Sequence, residues 1–155
     1  MGKLTNKKKM TRLDDTFKVL LTIFTVLLST VIAFYGKTSP ESTVFLFFIY
    51  GFTIASWSIA HLLGGEFEYF IKFTSWYGLL GGIFQSVLML DLGTLNLSGY
   101  YFAANWMVAL LIWYIVFRYV GPLLAEDLRK GLRILLFVMI FLSVVLSSLK
   151  LLGIF

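Results

Sequence analysis

The side chains best suited to chemistry surround a pair of glycines in the middle of the chain. His61, the only histidine, precedes Gly64-Gly65, and Glu66 and Glu68 follow. Imidazole and carboxylate groups can carry acid–base catalysis or bind a metal ion, and the glycines permit a sharp reversal that would gather them. The set falls short of the roughly four ligands of a zinc site, or of the second axial ligand of a six-coordinate haem. We therefore expect structural contacts from His61, Glu66 and Glu68, with an enzymatic or metal-binding role as the alternative.

The rest of the sequence lacks the patterns of familiar catalytic and cofactor sites. It contains no cysteine, which excludes thiolate catalysis, disulfides and cysteine-ligated metal sites. It also contains no glycine-rich phosphate loop, no HExxH pair and no Ser-His-Asp arrangement. The sequence therefore predicts a protein that is not an enzyme and carries no cofactor or metal ion.

Five long apolar stretches must position these residues. Hydrophobic residues make up 59% of the chain and charged residues 14%, a composition that would aggregate in water and is typical of membrane proteins. A helix needs about 20 apolar residues to cross the hydrocarbon core, and in lipid it satisfies its own backbone hydrogen bonds. The predicted spans are about 17–36, 44–63, 70–90, 100–120 and 130–152. We therefore predict an all-α integral membrane bundle as a single domain, residues 17–155, preceded by a basic cytoplasmic tail, residues 1–16.

The basic residues predict the orientation of these spans. Of the 13 Lys and Arg residues, six lie before or at the start of the first span, one follows the second span, and four surround the fourth connection. These three regions share a face only if all five segments cross, and the opposite face then holds just Lys37 and Lys150. The positive-inside rule places the N-terminus in the cytoplasm and the C-terminus outside. The third span is the weakest of the five, because Lys72 lies near its entry and Gln85 lies within it.

The connection between the fourth and fifth spans has a pattern of its own. Gly121-Pro122 ends the fourth span, and proline is favoured in the first turn of a new helix. Glu126 and Lys130 are four residues apart, the spacing of stabilising helical pairs. We expect a short interfacial helical turn that runs into the fifth span. Its basic side chains, like the run Lys7-Lys8-Lys9, are expected to face anionic lipid headgroups, and we predict no nucleic acid partner.

Small residues four apart indicate where helices approach closely in lipid. Gly78, Gly82 and Ser86 form the strongest such stripe, on the third span. Contact between neighbouring helices of one bundle would explain it. A seam with a second copy of the chain or with a partner protein is the alternative explanation.

Charged side chains are absent from the middles of the five predicted spans. Since such groups usually mark ion and proton pathways, a charge-driven pump is disfavoured. The sequence predicts a multi-pass, non-catalytic accessory or structural component of the cell membrane, within a homo-oligomer or a larger membrane complex. A small homo-oligomeric channel or carrier for a neutral or lipophilic solute is the alternative. A second alternative is an enzyme at the inner membrane interface that uses His61, Glu66 and Glu68.

Overall fold

The structure, a computed structural model, describes residues 2–95, 100–123 and 126–153. These residues form five α-helices: α1 (Gly2–Tyr35), α2 (Pro40–Leu63), α3 (Gly65–Leu92), α4 (Tyr100–Val120) and α5 (Glu126–Leu151). A 3-10 turn, Gly121–Leu123, follows α4 directly. The described residues contain no strand. The predicted all-α fold is therefore confirmed, and a helical turn does precede α5.

Three of the helices are long and apolar enough to cross a membrane. They are α1 over Lys7–Tyr35, α2 over Pro40–Leu63 and α3 over Phe67–Leu92. In α4 the apolar segment with described side chains, Met107–Val120, is shorter. The chain therefore has the helices of a membrane-embedded protein, whichever of α4 and α5 also cross.

The first helix begins well before the predicted first span. The basic segment that was expected to be a separate tail is continuous with the apolar helix, from Gly2 onward. No glycine or proline interrupts the chain between Gly2 and Tyr35, and Lys, Leu, Met and Arg are good helix formers. The hydroxyls of Thr11 and Thr16 donate to the carbonyl oxygens four residues earlier, at 3.0 and 2.8 Å. The basic side chains therefore favour contact of this segment with water, but they do not end the helix.

A single residue connects α2 to α3. Gly64 has φ +62° and ψ −179°, a conformation that side chains disfavour, and its N–H still donates to the carbonyl oxygen of Ala60. The reversal at this glycine makes α2 and α3 an antiparallel hairpin. It also places the last turns of α2 beside the first turns of α3.

The third helix lies at the centre of the bundle. It packs against α1, α2 and α4, whereas α5 packs mainly against α4. One cavity is lined by the first half of α2, the second half of α3 and the first half of α4, as shown by Phe45, Gln85 and Val108. A second cavity is lined by Thr16 and Trp76, in the first halves of α1 and α3, and by Val120, at the end of α4. Consequently α4 runs antiparallel to α3, and the end of α4 lies near the middle of α1.

The glycine stripe of α3 faces two helices of the same chain. A Cβ atom at Gly82 would meet the ring of the fully buried Phe24, on α1. A Cβ atom at Gly78 would lie 2.7 Å from Oγ1 of Thr53, on α2. Ser86 is buried and donates to the carbonyl oxygen of Gly82 at 2.8 Å. The absence of side chains at these glycines therefore lets a bulky ring of α1 and a hydroxyl of α2 approach the backbone of α3.

Apolar side chains cover the surface as well as the core, and several hydroxyl side chains are buried. Thr53, Ser56, Ser75 and Ser86 are buried. Large apolar side chains are exposed on every helix, for example on α1, α2 and α5 (Phe34, Phe48 and Phe141). Such a surface would associate in water but is well solvated by lipid chains.

Gly82→Ala tests the close approach of α1 and α3. The added methyl group would overlap the buried Phe24 ring, and overpacking of this kind costs about 1–3 kcal/mol. We expect a lower midpoint of thermal unfolding for the detergent-solubilised protein. Gly51→Ala is the matched control, because Gly51 is an exposed helical glycine with open space around it. That variant should be neutral or slightly stabilising, and equal effects of the two substitutions would contradict the packing described above.

Candidate functional site

A buried lysine lies where α1, α2 and α3 meet. Lys72, on the second turn of α3, is only 2% exposed. Its neighbours are Asp14 on α1, Trp57 on α2 and Glu68 one turn earlier on α3. We refer to Asp14, Trp57, Glu68 and Lys72 as the Lys72 cluster. The cluster forms because the reversal at Gly64 brings the end of α2 next to the start of α3.

Two carboxylates neutralise the buried ammonium group. Nζ of Lys72 lies 2.7 Å from Oε1 of Glu68, and 3.3 and 3.4 Å from Oδ1 and Oδ2 of Asp14. The carboxylate side chains are themselves mostly buried, with 25% of Glu68 and 22% of Asp14 exposed. A buried charge is tolerated only when it is paired. Lys72 is paired with both carboxylates, whereas the buried Oδ1 of Asp14 has the ion pair with Lys72 but no hydrogen-bond partner. The ion pairs also connect α1 to α3 near one end of the bundle.

Aromatic rings cover the ion pairs on the side of α2. The ring of Trp57 lies 5.3 Å from Nζ of Lys72, within the range of a cation–π contact. Phe17 stacks on Trp57 with ring centroids 3.8 Å apart and an interplanar angle of 5°. Trp76 also contacts Phe17, in an edge-on arrangement with ring centroids 5.5 Å apart. These rings hold α1, α2 and α3 together and restrict access of water to the lysine.

Hydroxyl groups link α2 and α3 one turn further along. Ser75 donates to Oγ of Ser56 at 2.8 Å, and both side chains are buried. Oγ of Ser56 in turn donates to the carbonyl oxygen of Phe52 at 2.7 Å. Small side chains of this kind let two helices approach closely and join them by hydrogen bonds.

The three residues singled out in the sequence do not all enter this cluster. Glu68 does, as a partner of Lys72. His61 is exposed, and its ring contacts the edge of Trp57 at 4.8 Å. The side chain of Glu66 falls outside the part of the chain that the structure describes. Among the side chains that are described, no group of three or more His, Cys, Asp or Glu residues could hold a metal ion.

Sequence reasoning missed Asp14 and the burial of Lys72. Lys72 was counted only as a charge at the entry to a span, and Asp14 was given no role. A signal for Asp14 does exist, since it precedes Phe17, Phe24 and Val31 at spacings of three and then seven residues. Those three side chains are all fully buried. A carboxylate on the same helical face requires a cationic partner on a neighbouring helix.

The geometry of the Lys72 cluster favours a structural role over a chemical one. The amine is held by two carboxylates and covered by an indole ring, so it is not presented to a substrate. The cavity of about 360 Å³ between α1, α3 and α4 is lined almost wholly by apolar side chains such as Leu13, Leu80 and Val116. Neither Lys72 nor its carboxylate partners line that cavity.

Comparisons with known proteins add no relative to this picture. No protein-family model, no curated protein and no solved structure matches the chain. Its function is therefore inferred from its own side chains and their contacts.

Lys72→Met tests the structural role of the cluster. The substitution keeps the length of the side chain but leaves two mostly buried carboxylates without their cation, a change that costs about 3–5 kcal/mol. We expect a marked fall in the midpoint of thermal unfolding in detergent. Adding Asp14→Asn and Glu68→Gln should recover part of the loss, because no unpaired carboxylate then remains.

Lys130→Met provides a matched control for that experiment. Glu126 and Lys130 are also a Glu–Lys pair at four-residue spacing, 3.1 Å apart, but their side chains are 68% and 64% exposed. An exposed pair of this kind contributes about 0.5 kcal/mol or less. Similar losses in Lys72→Met and Lys130→Met would contradict a stabilising role for the buried cluster.

Proposed function

We propose that this chain is a non-catalytic, multi-pass component of the cell membrane, an accessory or structural subunit that works through association with other membrane proteins. The observation that carries the proposal is that both carboxylates of the Lys72 cluster contact the cluster's own lysine. Among the described side chains, this cluster brings the most ionisable groups into direct contact, and its contacts join α1, α2 and α3. A protein whose polar groups serve its own packing is suited to assembly or scaffolding.

We further propose that all five helices cross the membrane. The antiparallel course of α4 supports this, because it returns Arg118, near the end of α4, to the same end of the bundle as Lys72. The start of α5, with Arg129 and Arg133, follows at that end. Basic residues from three separate parts of the chain therefore share one end, as the positive-inside rule requires of a cytoplasmic face. This face would contact anionic lipid headgroups, and we propose no nucleic acid partner.

Association with a partner would use the outer surface of the bundle. Within one chain, Gly78 and Gly82 face Thr53 and Phe24. A seam with another molecule along the Gly78–Gly82–Ser86 stripe would have to displace these side chains. The exposed apolar faces, including those of α5, offer contact surfaces without such a cost.

A carrier or channel for a lipophilic solute is the second candidate function. It is favoured by a cavity of about 280 Å³ between α2, α3 and α4. Phe45, Phe52 and Phe84 give this cavity aromatic walls, and Tyr77 and Gln85 add two polar side chains. Mostly apolar cavities with a few polar groups are typical of small-molecule sites. A transport function would require self-association or a change of shape, since one chain alone offers no continuous polar path along the described helices.

Native mass spectrometry of the protein after gentle extraction distinguishes the two candidates. An accessory subunit should co-purify with a different polypeptide at fixed stoichiometry. A carrier of the second kind should appear as a homo-oligomer, and liposomes that contain this chain alone should then show solute flux. A monomer that carries only lipid, and that gives no flux, would contradict both.

A further inference from the structure

We propose that the groove between α4 and the start of α5 is a binding site for one anionic glycerophospholipid. The phosphate would lie among Arg118, Arg129 and Arg133, and an acyl chain would follow the apolar wall of the groove toward the middle of the membrane. This inference rests on the membrane location proposed above. It adds a defined ligand site to a general contact with lipid headgroups.

Three arginines from two helices line one cavity. Arg118 lies near the end of α4, and Arg129 and Arg133 are four residues apart, on one face of α5. The cavity they line has a volume of about 520 Å³, within the range of about 300–1,000 Å³ that is usual for ligand sites. Gly121-Pro122 forms the corner between the two helices and adds no charge. The turn between α4 and α5 thus brings arginines of both helices to the same cavity.

Among the described side chains, none balances the charge of this groove. No described carboxylate lines it, and no ion pair joins any of the three arginines to a described carboxylate. Glu126, at the start of α5, is paired with Lys130 instead. Arg118 and Arg133 are exposed and Arg129 is half-buried, so all three can reach a ligand. Guanidinium groups match phosphate oxygens in geometry as well as in charge.

An apolar wall continues from the arginines along the helices. On α5, Leu136, Phe137 and Ile140 line the groove at successive turns, and Tyr114 and Phe117 line it on α4. Free phosphate would use only the charged end. A nucleic acid or an acidic peptide would likewise contact only the charged end and would make no use of the apolar wall. A phospholipid satisfies both ends of the groove together, which is why we commit to this occupant.

Lipid titration followed by native mass spectrometry tests the site. The probes are phosphatidylglycerol and phosphatidylcholine with identical acyl chains, added to the intact, detergent-solubilised protein. We expect one high-affinity phosphatidylglycerol and no equivalent phosphatidylcholine. Each basic residue near a lipid surface accounts for about a fivefold change in affinity, so Arg118→Gln with Arg133→Gln should weaken the first binding event by more than tenfold. Both side chains are exposed, and an unchanged thermal unfolding midpoint would show that the variant remains folded.

Lys130→Gln is the matched control. It removes one positive charge from the same turns of α5, but Lys130 does not line the groove. Because Lys130 is paired with Glu126 and does not line the groove, the effect of its substitution should be clearly smaller than that of the two arginine substitutions. Equal losses in the control and in the arginine variant would show a general effect of surface charge and would overturn the proposal.

Two further outcomes would also overturn it. Displacement of phosphatidylglycerol by millimolar inorganic phosphate would show that the apolar wall takes no part. Equal binding of phosphatidylcholine would show that the arginines do not select for net negative charge. The same spectra report bound protein partners separately. Absence of lipid selectivity in a protein that keeps its partners would therefore contradict the lipid site without contradicting the proposed function.

Discussion

The interaction on which the described bundle most depends is the buried ion pairing of Lys72. An ammonium group in a low-dielectric environment is costly unless carboxylates lie next to it, and Asp14 and Glu68 meet that requirement. Because Asp14 belongs to α1 and Lys72 to α3, their contact fixes how far one helix slides along the other. The stacked rings of Phe17 and Trp57 extend the same constraint to α2. One polar interaction thus sets the register of three helices whose apolar surfaces alone would allow many.

Close backbone approach completes what the ion pairs begin. Burial of apolar surface gives little driving force between helices in lipid, so shape and hydrogen bonds must hold them. The ring of Phe24 packs against the backbone of Gly82, and the hydroxyl of Ser75 donates a hydrogen bond to Oγ of Ser56. At the other end of the bundle, the hydroxyl of Tyr35 donates to the carbonyl oxygen of Leu90 at 3.4 Å. The contacts along α3 therefore combine tight packing with hydrogen bonding, as expected of a helix bundle in lipid.

Much of the helical framework could be predicted from the sequence, because length and hydropathy act locally. The ends of α2 at Leu63 and of α4 at Val120 agree with the predicted spans, and Gly64 and Gly121 explain both. The helix α1 begins at Gly2, well before the predicted span, because charge keeps a segment out of lipid but does not end a helix. The burial of Lys72 could not be read from hydropathy, since it depends on Asp14, 58 residues away. The direction of the glycine stripe likewise depends on which helices pack together, and periodicity within one helix does not contain that information.

The central claim is a five-crossing bundle whose Lys72 end faces the cytoplasm. The natural absence of cysteine allows single cysteines to be placed without background and labelled in intact cells with a membrane-impermeant maleimide. The account predicts labelling from outside for Lys37→Cys and Lys150→Cys, and labelling only after permeabilisation for Lys9→Cys and Glu126→Cys. Labelling of Glu126→Cys and Lys150→Cys from the same side would show that α5 does not cross, and would contradict the account.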